Sequence, residues 1–112
     1  LSILIEVNIS GDQAKHGFAP DDVASVLAAT PKYPHVHVRG LMTMASLAGD
    51  RDQARKDFSR LRELFDELQS ACPPEATLTE LSMGMSHDFE VAVEEGATIV
   101  RVGTAVFGPR PL

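Results

Sequence analysis

The stretch "TLTELSMGMSHDFEVAVEEGATIVRVG", Thr77 to Gly103, contains one complete strand–helix–strand unit. "TLTELSM" is rich in residues that suit a strand. "SHDFEVAVEEG" then reads as a helix, with Ser86 at the N-cap, Asp88 in the first turn and Gly96 at the C-cap. "ATIVRVG" returns to a short apolar strand. The helical crossover is long enough to join parallel strands, which a tight hairpin cannot do.

Working outward, the same alternation repeats. "GDRDQARKDFSRLRELFDELQSAC", Gly49 to Cys72, places Phe58, Leu61, Phe65, Leu68 and Cys72 at helical spacing, with Arg60, Glu63 and Glu67 facing away. "HVHVRGLMTM", His35 to Met44, is a strand with Gly40 in its middle. "APDDVASVLAAT", Ala19 to Thr30, is a helix: Pro20 suits its first turn, Asp21 and Asp22 its N-terminal dipole, and Val23, Val26, Leu27 and Thr30 form one stripe. "PKYP" stops it. "ILIEVNIS" opens the chain as a strand with two faces. Ile3, Ile5, Val7 and Ile9 lie on one, and Ser2, Leu4, Glu6, Asn8 and Ser10 on the other.

The order β-α-β-α-β-α-β predicts a parallel sheet covered by helices. Two architectures fit: an open doubly wound sheet, or four consecutive units of a (β/α)8 barrel. The chain opens inside a strand and without a methionine, which suggests a piece of a longer protein. Its 112 residues form a single partial domain on this reading. Four strands of a barrel leave two open edges, so self-association through them is expected.

Composition narrows the function. A 44% apolar content supports a packed core, and the net charge of −6 offers no basic stripe for nucleic acid. No apolar run approaches the roughly 18 residues of a membrane span. With no signal peptide pattern, a cytoplasmic setting is expected. The single cysteine, Cys72, reads as a small buried hydrophobe. The four histidines lack metal-ligand spacing, so no metal is expected. Walker, G-x-G-x-x-G and nucleophile-elbow patterns are absent.

Candidate chemistry gathers where strands meet helices. In "RVGTAVFG", Gly103 and Thr104 follow a strand and are expected to open a helical turn, whose N–H groups attract anions. The turn in "LSMGMS" is its counterpart on the preceding strand: Gly84 permits a tight turn and Ser82 or Ser86 supplies a hydroxyl. Either turn alone reads as plainly as a cap or a strand end. Together, on neighbouring strands, they favour an anion site of the kind barrels place after their last two strands. Arg101 stands between two valines. It is either an arginine reaching water from a strand end or a fixed donor to a ligand, with Glu6 as its counter-charge. His37 and Arg39 share a strand face and could join that polar interior. Lys15, in the loop after the first strand, is a weaker candidate, as is His16. Met83, Met85, Met42 and Met44 read as core or pocket wall.

"VNISGDQAKHGF", "RGLMTM" and "LSMGMSHDFEVAVEEGATIVRVGTAVFG" together resemble the C-terminal half of the pyridoxal-phosphate homeostasis proteins, over about Ile5 to Gly108. The resemblance implies half of a (β/α)8, TIM-like barrel similar to the alanine racemase N-terminal domain, with pyridoxal 5′-phosphate (PLP) at its carboxyl-end mouth. It implies a cofactor-binding set of Ser82, Met83, Gly84, Ser86, Arg101, Gly103 and Thr104. The two turns would hold the phosphate, and Arg101 would donate to the pyridine nitrogen. No catalytic residue is implied: the expected role is cofactor binding in vitamin B6 and amino-acid homeostasis without robust catalysis. The alternatives are a racemase-like PLP enzyme and a phosphate-binding barrel fragment without PLP. The family's Schiff-base lysine belongs to the N-terminal half, and none of Lys15, Lys32 and Lys56 matches it.

Overall fold

The computed structural model describes residues 1–9, 17–44, 51–70, 76–85 and 87–101. Strand β1 spans Ser2–Glu6, helix α1 Val23–Ala28, β2 His37–Met42, α2 Arg51–Gln69, β3 Ala76–Met85, α3 Phe89–Glu94 and β4 Ile99–Arg101. All four strands are parallel, and they sit in the sheet in chain order, β1-β2-β3-β4. The classic doubly wound sheet reverses its strand order at a switch point, and no reversal occurs here.

The core supports the barrel-type reading. Ile5, Val7 and Ile9 of the first strand region, Val38 and Leu41 of β2, and Leu78, Leu81 and Met83 of β3 form one buried cluster. The helices complete it with Val23 and Leu27 from α1, Phe58, Leu61 and Leu68 from α2, and Val91 and Ala92 from α3. The alternate strand residues Leu4, Glu6 and Asn8 are half-buried, whereas Arg39, Thr77, Thr79 and Ile99 are exposed. One strand face therefore carries the helices, as in consecutive units of a (β/α)8 barrel.

Most element boundaries tighten relative to the sequence pattern. The first helix is split: Pro20–Asp22 and Thr30–Lys32 are 3-10 turns around a six-residue α-helix. Pro31 supplies no N–H to continue the helix, and the Thr30 hydroxyl instead donates to the Leu27 carbonyl at 2.7 Å. The long helix begins at Arg51 and ends at Gln69, whose amide donates to the Leu78 carbonyl at 2.6 Å. Strand β1 ends at Glu6, and Val7 bridges instead to Phe18.

Two glycines shape the sheet. Gly40 pairs with both Leu4 and Glu80, and a Cβ there would stand 1.8 Å from the Glu80 carbonyl oxygen. This backbone-to-backbone approach leaves no room for any side chain. Gly84 differs from its expected place in a turn. Strand β3 runs on to Met85, and Gly84 lies within it at φ +103°, where the β3–β4 register shifts between Ser82 and Met85. An L-residue avoids that conformation, and the shift bends the strand end over α3.

Candidate functional site

In parallel sheets flanked by helices, ligands bind at the carboxyl ends of the strands. Here those ends are tied together by one residue, Thr43, just beyond β2. Its N–H donates to the Ser82 carbonyl of β3 at 3.0 Å. Its hydroxyl donates to the Val7 carbonyl beyond β1 at 2.7 Å. Its own carbonyl accepts Nη2 of Arg101 from β4 at 3.1 Å. Thr43 is 1% exposed; its bond to Val7 is buried and its bond to Arg101 is part-buried.

Arg101 faces that convergence and pairs in register with Met85. The side chain is half-buried, and among the described residues its Nε is a buried donor without a partner. The expected counter-charge does not meet it. Glu6 and Arg101 occupy the two outer strands of the sheet, three strand spacings of about 4.8 Å apart, or roughly 14 Å. Arg101 therefore has a neutral carbonyl as its acceptor and no carboxylate partner among the described residues. A cation so placed keeps an N–H available for an incoming acceptor.

The lip formed by the end of β3 is locked from below. Asp88 is 5% exposed and occupies the N-cap position of α3. Its Oδ1 accepts the Met85 N–H at 2.6 Å, and its own N–H donates to the Met85 carbonyl at 3.2 Å. His87 lies 3.4 Å from Oδ2. The cap expected at Ser86 is thus replaced: α3 starts at Phe89, and Asp88 precedes it. The C-cap is Glu95 rather than Gly96, which follows it at φ +102°, with its N–H on the Val93 carbonyl at 3.1 Å and the Ala97 N–H on the Ala92 carbonyl at 3.0 Å, the paired bonds of a Schellman motif.

The remaining candidates divide. Gly84 stands beside Arg101's strand, since a Cβ on it would lie 3.3 Å from Cγ1 of Val100. Ser82 is buried and pairs with Met42 and Ile99, a level lower in the sheet than the Met85–Arg101 pair. Met83 is fully buried within the helix-side core, so its side chain is core rather than pocket wall. Arg39 is exposed, and its Nε bonds Ser2 at the amino end of the sheet, away from Arg101. His37 begins that same strand end. Ser86, Gly103, Thr104, Lys15, His16 and Cys72 lie outside the described residues. Thr43 was not singled out from the sequence, and Asp88 was read only as a first-turn residue of the helix. A threonine between methionines looks like strand filler, and an aspartate near a helix start looks like ordinary dipole compensation.

Surface depressions of about 570 Å³ and 560 Å³ lie elsewhere, the first along α2 around Arg55 and Ser59, the second between Arg60, Gly17 and Pro20. Neither is lined by Arg101 or Gly84. Among the described residues no group of three or more His, Cys, Asp and Glu could hold a metal ion, and no helix is long and apolar enough to cross a membrane.

Four parallel strands in chain order with helices on one strand face define a segment of a barrel, with a cation at its carboxyl-end mouth. The profile described as alanine racemase, N-terminal domain, matches residues 1–111, and the chain belongs to that family. The chain is 49% identical over 108 residues to the pyridoxal phosphate homeostasis protein of Aquifex aeolicus, covering 96% of this chain and 46% of that protein. It is 41% identical over 112 residues to the Homo sapiens protein of the same name, covering 98% of this chain and 41% of that one. PipY of Synechococcus elongatus, solved without PLP, superposes with a TM-score of 0.87 at 39% identity, over 96% of this chain and 49% of PipY. PipY with PLP bound superposes with a TM-score of 0.80 at 38% identity and the same coverage. The chain spans a little under half the length of the curated relatives it matches.

Proposed function

We propose that these residues form the phosphate and ring-nitrogen side of a PLP site in a protein of PLP homeostasis. The observation that carries this reading is Arg101, a half-buried cation at the carboxyl ends whose Nε–H has no partner among the described residues. Relatives named for PLP homeostasis, and PipY with PLP bound, support the choice of cofactor.

The residues fit the group. Arginine offers only donors and does not lose its proton, so it suits an acceptor: the unprotonated pyridine nitrogen. Gly84 keeps the end of β3 free of a Cβ beside β4. Ser82 is level with Ile99, below Arg101, which counts against it as the phosphate donor. Gly103 and Thr104, outside the described residues, join the proposed phosphate set on their sequence motif alone. Bound PLP supplies an aldehyde and an electron-withdrawing ring. An unprotonated ring withdraws electrons weakly, which favours holding the cofactor over running amino-acid chemistry. Tyr33, the single tyrosine, is exposed in the turn before β2, at the amino end of the sheet, and so does not serve as a second-face base for racemization. The whole protein's role in vitamin B6 and amino-acid homeostasis is part of the same proposal.

Titrating the chain and its Arg101→Gln variant with PLP, followed by absorbance, tests the reading. Losing a charge-assisted bond predicts affinity weaker by roughly tenfold or more, with the circular dichroism spectrum retained. Pyridoxal without its phosphate should bind poorly to both. Equal PLP affinity in the two proteins, or no uptake by either, overturns the proposal.

A further inference from the structure

We propose that Thr43 is a positioning residue for Arg101, holding its guanidinium so that Nη2 is occupied and Nε–H remains the free donor. This rests on the reading of Arg101 as the residue that faces the ring nitrogen. All three hydrogen-bonding groups of Thr43 are used, each on a different strand: the hydroxyl toward Val7, the N–H on Ser82 and the carbonyl under Arg101. The pairing of β1 with β2 ends in the Val7 N–H to Met42 carbonyl bond at 2.8 Å, and the Thr43 hydroxyl returns to the Val7 carbonyl one residue further on. That closed pair fixes the Cα of Thr43, the atom next to the carbonyl on which Arg101 rests.

The choice of acceptor matters. A carboxylate under the guanidinium would neutralise it and compete for its forked donors. A backbone carbonyl takes one N–H and leaves the charge in place. A carbonyl is useful only if its residue is held still, and Thr43 is held by bonds to the strands on either side. The N–H to Ser82 supplies one of them. The hydroxyl to Val7 supplies the other, and only Ser or Thr at this position provides it.

The test compares Thr43→Val, which keeps the shape and removes the hydroxyl, with Thr43→Ser, which keeps the hydroxyl. The first readout needs no cofactor: the Nε–Hε resonance of Arg101, assigned by its loss in Arg101→Gln. The wild-type chain and Thr43→Ser should give one slowly exchanging resonance at a common position. In Thr43→Val it should shift and exchange rapidly, as in a solvated arginine. The second readout is PLP affinity, expected about five- to tenfold weaker in Thr43→Val, the range for one buried neutral hydrogen bond, and within about twofold of wild type in Thr43→Ser. A lower melting temperature for Thr43→Val with an unchanged Arg101 resonance would show a merely structural threonine and overturn the proposal. Equal PLP affinity of wild type and Arg101→Gln would instead overturn the cofactor reading, while the resonance still decides what Thr43 does.

Discussion

Replacing Gly84 by alanine tests both the bend in β3 and the packing of α3 beneath it. A Cβ at this position would lie 2.6 Å from Cβ of Ala92, 3.2 Å from Cα of Phe89 and 3.3 Å from Cγ1 of Val100. Ala92 has no rotamer through which to retreat, and the Phe89 contact is backbone, so α3 itself must move by about 1 Å to restore an ordinary carbon–carbon separation. Overpacking of this kind costs about 1–3 kcal/mol. The φ of +103° adds about 1–2 kcal/mol for any L-residue. The sum, about 2–5 kcal/mol, corresponds to a melting temperature lower by roughly 10–20 °C for a domain of this size. Thermal and urea unfolding followed at 222 nm would measure it. The two contributions separate in a cycle with Ala92→Gly, which removes the nearest clashing atom and leaves the φ strain. A favourable coupling of about 1–2 kcal/mol is expected between Gly84→Ala and Ala92→Gly. A loss below about 1 kcal/mol for Gly84→Ala, or strict additivity in the cycle, would refute this account of the strand end.

Gly40→Ala should be more damaging, because the 1.8 Å approach is to the Glu80 carbonyl and the β2–β3 pairing must open. A loss above about 4 kcal/mol is expected, and a variant that melts close to wild type would show that the two strands are not in this register. Asp88→Ala leaves the Met85 N–H without its acceptor and should lower stability by about 1–3 kcal/mol in urea unfolding, with Asp88→Asn recovering part of it. An Asp88→Ala protein as stable as wild type would remove the lock under the lip of β3. Finally, β1 and β4 each have one sheet neighbour among the described residues, so we expect the 112-residue chain to associate through these edges. A single monomeric species across a wide concentration range in sedimentation velocity would contradict that.

The fold was legible because its signals are local. Helical spacing in Phe58, Leu61 and Leu68 and the alternation of Ile5, Val7 and Ile9 each survive as buried faces of their elements. The βα pattern alone left the strand order open, since a barrel segment and a doubly wound sheet share it; the family resemblance implied the barrel, and the sheet has that order. The site was legible by residue type but not by neighbourhood. Glu6 was matched to Arg101 because a buried cation calls for a carboxylate, yet the two start from the outer strands, and the guanidinium ends on the Thr43 carbonyl beyond β2 without pairing with Glu6. The same order explains why Thr43 carried no signal. Its importance comes from standing at the exit of β2, a central strand, where one residue reaches its neighbours on both sides and the arginine of β4. Asp88 was hidden in a similar way, because its carboxylate serves Met85 in the strand end behind it rather than the helix ahead. At the mouth of a parallel sheet, chain order decides which side chains can meet, and residue type decides only what they do once they have met.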